Sequence, residues 1–223
     1  MKLQGVTLAA GMLLCGPEAR SQIVTENAGT ISPETPLCQS RFEYAWSAHV
    51  TEVSAIESFF WAPNDKMDLA LSVPVIHRDF ESGNGVAGTL AGFGDIALRW
   101  KYSIWKDDDV MKSTRFSALA GVELPTGRWH DDEEGVEIPR KLQLGTGSFD
   151  FFGGPLFTWI DDRDRFAAEL IGRYNLERDD FRLQPSVQAG VAYWYRISPA
   201  MIEVAGEKTE IRGVIELTSP TYS

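Results

Sequence analysis

The chain has 223 residues and a formal net charge of −11, which argues against a nucleic-acid surface and against a basic patch drawn to anionic lipid. Its 43% of apolar residues is too high for a disordered chain, yet no run of 18 apolar residues follows the N-terminus to cross a membrane as a helix. Seven tryptophans are many for this length, so their placement is informative.

Residues 1–21, MKLQGVTLAAGMLLCGPEARS, are expected to form a secretory signal peptide. Lys2 supplies the charged start, Val6 to Leu14 the apolar stretch, and Ala19-Arg20-Ser21 a small-x-small cleavage site. Leu14 directly before Cys15 departs from a lipoprotein box, where a small residue is needed. Cleavage leaves Cys38 as the single cysteine, which forms no internal disulfide. Residues 22–38 are polar and contain Pro33 and Pro36, and read as an N-terminal arm or linker.

From residue 39 to the end the chain reads as strands. Phe42, Tyr44, Trp46, Ala48 and Val50 share one parity, and a weaker strand follows from about Ser54 to Trp61. Ala62 to Lys66 is a turn by its Pro, Asn and Asp. Met67, Leu69, Leu71, Val73 and Val75 alternate with Asp68, Ala70 and Ser72, and residues 79–91 form a Gly-rich loop. In Ile96 to Trp105 the apolar Ile96, Leu98, Trp100, Tyr102 and Ile104 alternate with Arg99, Lys101 and Ser103. Residues 106–114 turn the chain, and Phe116, Ala118, Ala120, Val122 and Leu124 line the next face. The longest loop spans 125–143. Strands around Phe149–Ile160 and Phe166–Leu176 flank the turn 161–165, and a tight turn is expected at 177–180. Leu183 to Tyr195 alternates again, and weaker strands near 201–205 and 211–218 end the chain.

This makes about ten antiparallel strands, most near the 9–11 residues that a tilted membrane strand requires. Short turns at 62–66 and 161–165 alternate with long connections at 79–91 and 125–143, the rhythm of an outer-membrane barrel. Trp61, Trp105, Trp159 and Tyr195 enter the short turns and suit a membrane-interface girdle, because an amphipathic ring prefers the headgroup level. The expected fold is therefore all-β: an antiparallel up-and-down transmembrane β-barrel over residues 39–223. Its apolar parity faces lipid. Its polar parity faces the lumen, with Glu43, Asp95, Arg99, Lys101, Glu123, Asp150, Glu169, Arg173, Arg182 and Gln188 as transport candidates.

Other chemistry is thinly supported. Gly-Phe-Gly-Asp (92–95) lacks the βαβ unit of a nucleotide loop, so its glycines read as tight loop-to-strand transitions. His130-Asp131-Asp132-Glu133-Glu134 has no cation-loop spacing and reads as a solvated acidic loop. His49, His77 and His130 lie towards one rim, which a rim-site hydrolase would need, but no Gly-x-Ser-x-Gly accompanies them. No enzyme activity, cofactor or metal is expected.

Three stretches, GFGDIALRWKY (92–102), GVELPTG (121–127) and LGTGSFDFFGG (144–154), follow one another on adjacent hairpins. In order and spacing they resemble the outer-membrane barrel family named for a MetA pathway of phenol degradation, also labelled simply transporter. The resemblance covers roughly residues 39–205. It implies a channel or uptake protein for small hydrophobic or aromatic solutes in the outer membrane of a Gram-negative-type bacterium. It also implies the lipid bilayer, a small-molecule solute and the barrel-assembly machinery as partners. Family members usually continue for another hairpin, whereas this chain ends IELTSPTYS with Pro220 in its last candidate strand, so the expected barrel lacks a closing hairpin. The alternative is a structural or adhesive barrel with a filled lumen, acting through its extracellular loops.

Overall fold

A computed structural model of the chain describes residues 8–11, 28–30, 36–46, 49–81, 87–130, 132–133, 136–139, 142–178, 184–198 and 211–218. The strands are β1 (Leu8–Gly11), β2 (Leu37–Trp46), β3 (Val50–Asn64), β4 (Met67–Glu81), β5 (Ala87–Phe93), β6 (Ile96–Asp108), β7 (Lys112–Leu124), β8 (Asp132–Glu133), β9 (Val136–Glu137), β10 (Asp150–Asp161), β11 (Asp164–Asn175), β12 (Ser186–Ser198) and β13 (Ile211–Thr218). Apart from the small β8–β9 ladder, all belong to one eleven-stranded antiparallel sheet. Its order follows the chain from β1 to β13, with β5 and β6 as two halves of one interrupted strand beside β4. The sheet curls into a half-barrel. No helix is long and apolar enough to cross a membrane among the described residues, which says nothing of strands.

The all-β, up-and-down expectation is met, and the boundaries are corrected in four places. The alternation from Phe42 to Val50 reads as one strand, but β2 ends at Trp46 and the antiparallel β3 begins at Val50, not Ser54. In the sequence between them, Ser47 is the one residue of a turn-favouring type, a weak signal. The loop expected at 79–91 shrinks, because β4 continues to Glu81 and β5 begins at Ala87, despite the Gly content. The tight turn expected at 177–180 is instead a longer connection from Leu176 to Pro185, which restores the short–long rhythm. Leu8–Gly11, inside the stretch expected as a leader, pairs with Arg41–Tyr44 of β2. The strand expected near 201–205, the proposed cleavage site at Ala19–Ser21 and most of the 22–38 arm lie outside the described residues.

Alternate residues fall on two different faces. On the outward face Leu71, Val75, Leu98, Trp100, Tyr102, Leu170, Val187, Val191 and Tyr193 are exposed. On the inward face Asp68, Lys101, Ser103, Ser117, Asp150, Thr158, Glu169, Ser186 and Arg196 are buried. A water-soluble sandwich hides its apolar face and shows its polar one; here the assignment is reversed. Outward rings gather at both strand ends, Trp61, Trp105, Trp159 and Tyr195 at the short-turn end, 36–50% exposed, and Tyr44, Trp46, Phe149, Phe151 and Tyr174 at the other, while Phe59 and Trp100 lie nearer the middle. Between them come small and aliphatic residues such as Ala120, Gly153, Ala168 and Ala189. Glu57 is the departure, exposed on the outward parity of β3 and hydrogen-bonded by Ser40 Oγ at 2.7 Å.

Candidate solute path on the inward face

Strand register pairs the inward charges. Asp68 of β4 and Lys101 of β6 are direct cross-strand partners, and their ion pair spans 3.1 Å. Glu52 of β3 and Arg78 of β4 are likewise opposite each other, with Arg78 Nε donating to Glu52 Oε2 at 2.7 Å. Arg173 of β11 reaches across β10 to Glu123 of β7 at 2.5 Å. Arg41 and Glu43, two residues apart on β2, pair at 3.0 Å. Arg99 lies over the Phe60 ring, 5.3 Å from its centroid. Glu169 is buried and Gln188 half-buried on the same face. Arg182 lies outside the described residues. Glu52 and Arg78 escape the sequence reading because residues 51–53 and Arg78 fall between the strands it expects; extending the parity of β4 through Pro74 finds Arg78.

Asp95 differs from the other candidates. It sits in the break between β5 and β6, and both carboxylate oxygens are engaged. Oδ1 accepts from Gly127 N at 2.8 Å, and Oδ2 accepts from Thr146 N at 2.6 Å and Thr146 Oγ1 at 3.0 Å. One carboxylate thus clasps all three glycine motifs at the long-loop rim. The glycines are needed for close approach: a Cβ on Gly127 would lie 2.8 Å from Gly145 Cα, and one on Gly145 would lie 2.7 Å from Gly127 O. Gly147 has a φ of +72°, and a Cβ there would meet the Trp129 ring at 2.6 Å. The other face of the clasp is closed by Arg178, which stacks 4.4 Å from the Trp129 centroid and donates to Gly147 O at 2.6 Å.

The clasp launches the long loop inward. Arg78 Nη1 donates to Leu142 O and Gln143 O, both at 2.8 Å, and Arg128 Nη2 donates to Ala91 O at 2.7 Å. Ile138, fully buried, joins Leu144, Phe80 and Leu90 in an apolar cluster with Val50, Ile76 and Leu142 around it. Burying a side chain of that size contributes about 1.5–3 kcal/mol. The loop expected to stand outside at 125–143 therefore folds over the inward side of β4 and β5 at one end. No cluster of metal-ligating residues is found among the described residues.

At the other end residues 28–30 of the N-terminal arm rest on the same face. Ala28 is fully buried; its N–H donates to Thr158 Oγ1 at 2.8 Å, and its carbonyl accepts from Ser117 Oγ at 2.7 Å. Lys101 Nζ donates to Gly29 O at 2.5 Å, and Thr30 Oγ1 to Asp65 O at 2.9 Å, beside the β3–β4 turn. Leu119 and Leu156 pack against Ala28, with Phe152 and Ile171 beside them.

The three histidines share the long-loop end, as the sequence suggested. His77 is exposed, 3.7 Å from Asp79, and His130 stacks on Trp129 at 4.0 Å between centroids. Neither the models of known protein families nor the curated proteins give a match to this chain.

Proposed function

We propose that the chain is an outer-membrane β-barrel protein through which small hydrophobic or aromatic solutes pass, as its likeness to the MetA-pathway transporter family implies. One observation carries this reading: the sheet is inverted, with rings and aliphatic residues exposed outward and paired charges inward, Asp68 with Lys101 buried and Glu123 with Arg173 partly so. In hydrocarbon an outward apolar band flanked by rings is the favourable arrangement, and an inward polar lining meets the solute. The loop and the arm on the inward face narrow the path, so passage is selective rather than porin-like. Those same two segments favour a second reading, a filled structural barrel acting through its loops.

The test is purified protein in liposomes, with entry of a small sugar and of a water-soluble aromatic followed by swelling. Uptake above that of empty liposomes supports passage. Absence of any uptake, in protein that fractionates with outer membranes, leaves the filled barrel. Recovery in periplasmic extract overturns both.

A further inference from the structure

The seat of Ala28 has the make-up of a small-molecule site: apolar walls with a few convergent polar groups. Leu119, Leu156, Phe152 and Ile171 form the walls. Ser117 Oγ and Lys101 Nζ offer donors, and Thr158 Oγ1 accepts. Lys101 is already balanced by Asp68, so the seat holds no net positive charge for an anion. The arm satisfies these groups with peptide backbone brought from 130 residues away in sequence.

We propose that this seat is the solute site of the passage and that residues 28–30 are its built-in occupant, displaced when solute binds. The proposal rests on the uptake reading above and names its substrate class. A replacement for the arm must meet Ser117 and Thr158 while fitting between Leu119 and Leu156, because a buried polar group left without a partner is unfavourable. Small apolar molecules carrying one hydroxyl, which donates to Thr158 and accepts from Ser117, meet that requirement. A pure hydrocarbon does not. The arm is tethered through residues 31–36 to β2, so it competes at an effective concentration of roughly millimolar. The passage is therefore shut until solute accumulates.

The test uses the full chain in outer membranes with Cys38→Ser and one of two reporter pairs, Ala28→Cys with Thr158→Cys or Ala28→Cys with Ser117→Cys. Mild oxidation is expected to bridge the pair, seen as altered mobility on a non-reducing gel. Each pair keeps one of the two hydroxyls, Ser117 in the first and Thr158 in the second, so benzyl alcohol is expected to slow bridging several-fold in both, while toluene at the same concentration leaves the rate unchanged. In planar bilayers, reduction of the bridged protein is expected to raise potassium chloride conductance several-fold. Failure of both pairs to bridge overturns the seating. Equal slowing by both probes, or by neither, overturns the solute class. Equal, measurable conductance before and after reduction overturns the occluding role and leaves the passage standing; no conductance in either state overturns the uptake reading, and the proposal with it.

Discussion

Single carboxylates set the two rims of this molecule. Asp95 accepts three hydrogen bonds from Gly127 and Thr146, so Asp95→Asn keeps the shape and loses charge-assisted bonding. It is expected to cost about 1–3 kcal/mol, read by urea unfolding in detergent, with faster proteolysis in residues 128–149. Unchanged proteolysis would show that the clasp does not hold the loop. Asp108 is the last residue of β6, beyond Trp105 and outside the apolar band. Partial burial alone would raise its carboxyl, but hydrogen bonds from Ser113, Arg115 and Lys106 outweigh that and lower it from 3.8 to about 2. A depressed carboxylate stabilises the fold above its unfolded value and stops doing so as pH falls through its folded value. The stability gap between wild type and Asp108→Asn is therefore expected to be full above pH 3.8 and to close towards pH 2, measured by acid titration of tertiary signal. A gap independent of pH in that window would contradict the assignment.

At the scale of the strand, parity alone made faces legible away from the bulges, such as the one between Ser103 and Trp105 that leaves Ile104 and Trp105 both exposed. Trp100 and Tyr102 share a parity opposed to Arg99 and Lys101, and the structure exposes the first pair while burying Lys101 and half-burying Arg99. Period-2 alternation follows from pleat geometry and needs no tertiary information. Strand ends were less legible. Ser47 is the one turn-favouring residue in the sequence between β2 and β3, and the Gly-rich stretch before Gly92 pairs with β4 as β5. Leu71 is exposed in the middle of β4's outward face. Leu71→Arg is expected to destabilise the membrane-inserted protein by about 2–4 kcal/mol, the cost of a cation near the bilayer midplane. The comparison is stability in lipid vesicles against that in a micelle of a short-chain detergent, where the headgroup finds water and the loss is smaller. Equal losses in the two media would argue against a lipid-facing β4.

For the whole molecule, the open question of energy lies at the edges. The sheet runs from β1 to β13, and no ladder joins these two among the described residues. An unpaired strand edge in hydrocarbon leaves backbone groups without partners, at several kcal/mol each. A membrane-embedded chain therefore has its edges paired, and closure onto itself is expected to make the unboiled protein migrate faster than the boiled one on a gel. Identical migration would show that the chain does not close on itself in the detergent used. By itself the sequence determined the strand class, the antiparallel order and the parity of charges within the strands it marked, such as Lys101 and Glu169, because these follow from periodicity and short connections between neighbours. It also marked the glycine motifs without revealing that Asp95 joins them, since Gly94, Gly127 and Gly145 are far apart in the chain and meet only across the rim. Only the tertiary structure decided what fills the inward face. Ala28 finds Thr158 and Ser117, and Arg78 finds Leu142, through contacts between segments with no periodic signature, and such contacts are set by the curl of the sheet rather than by any local pattern.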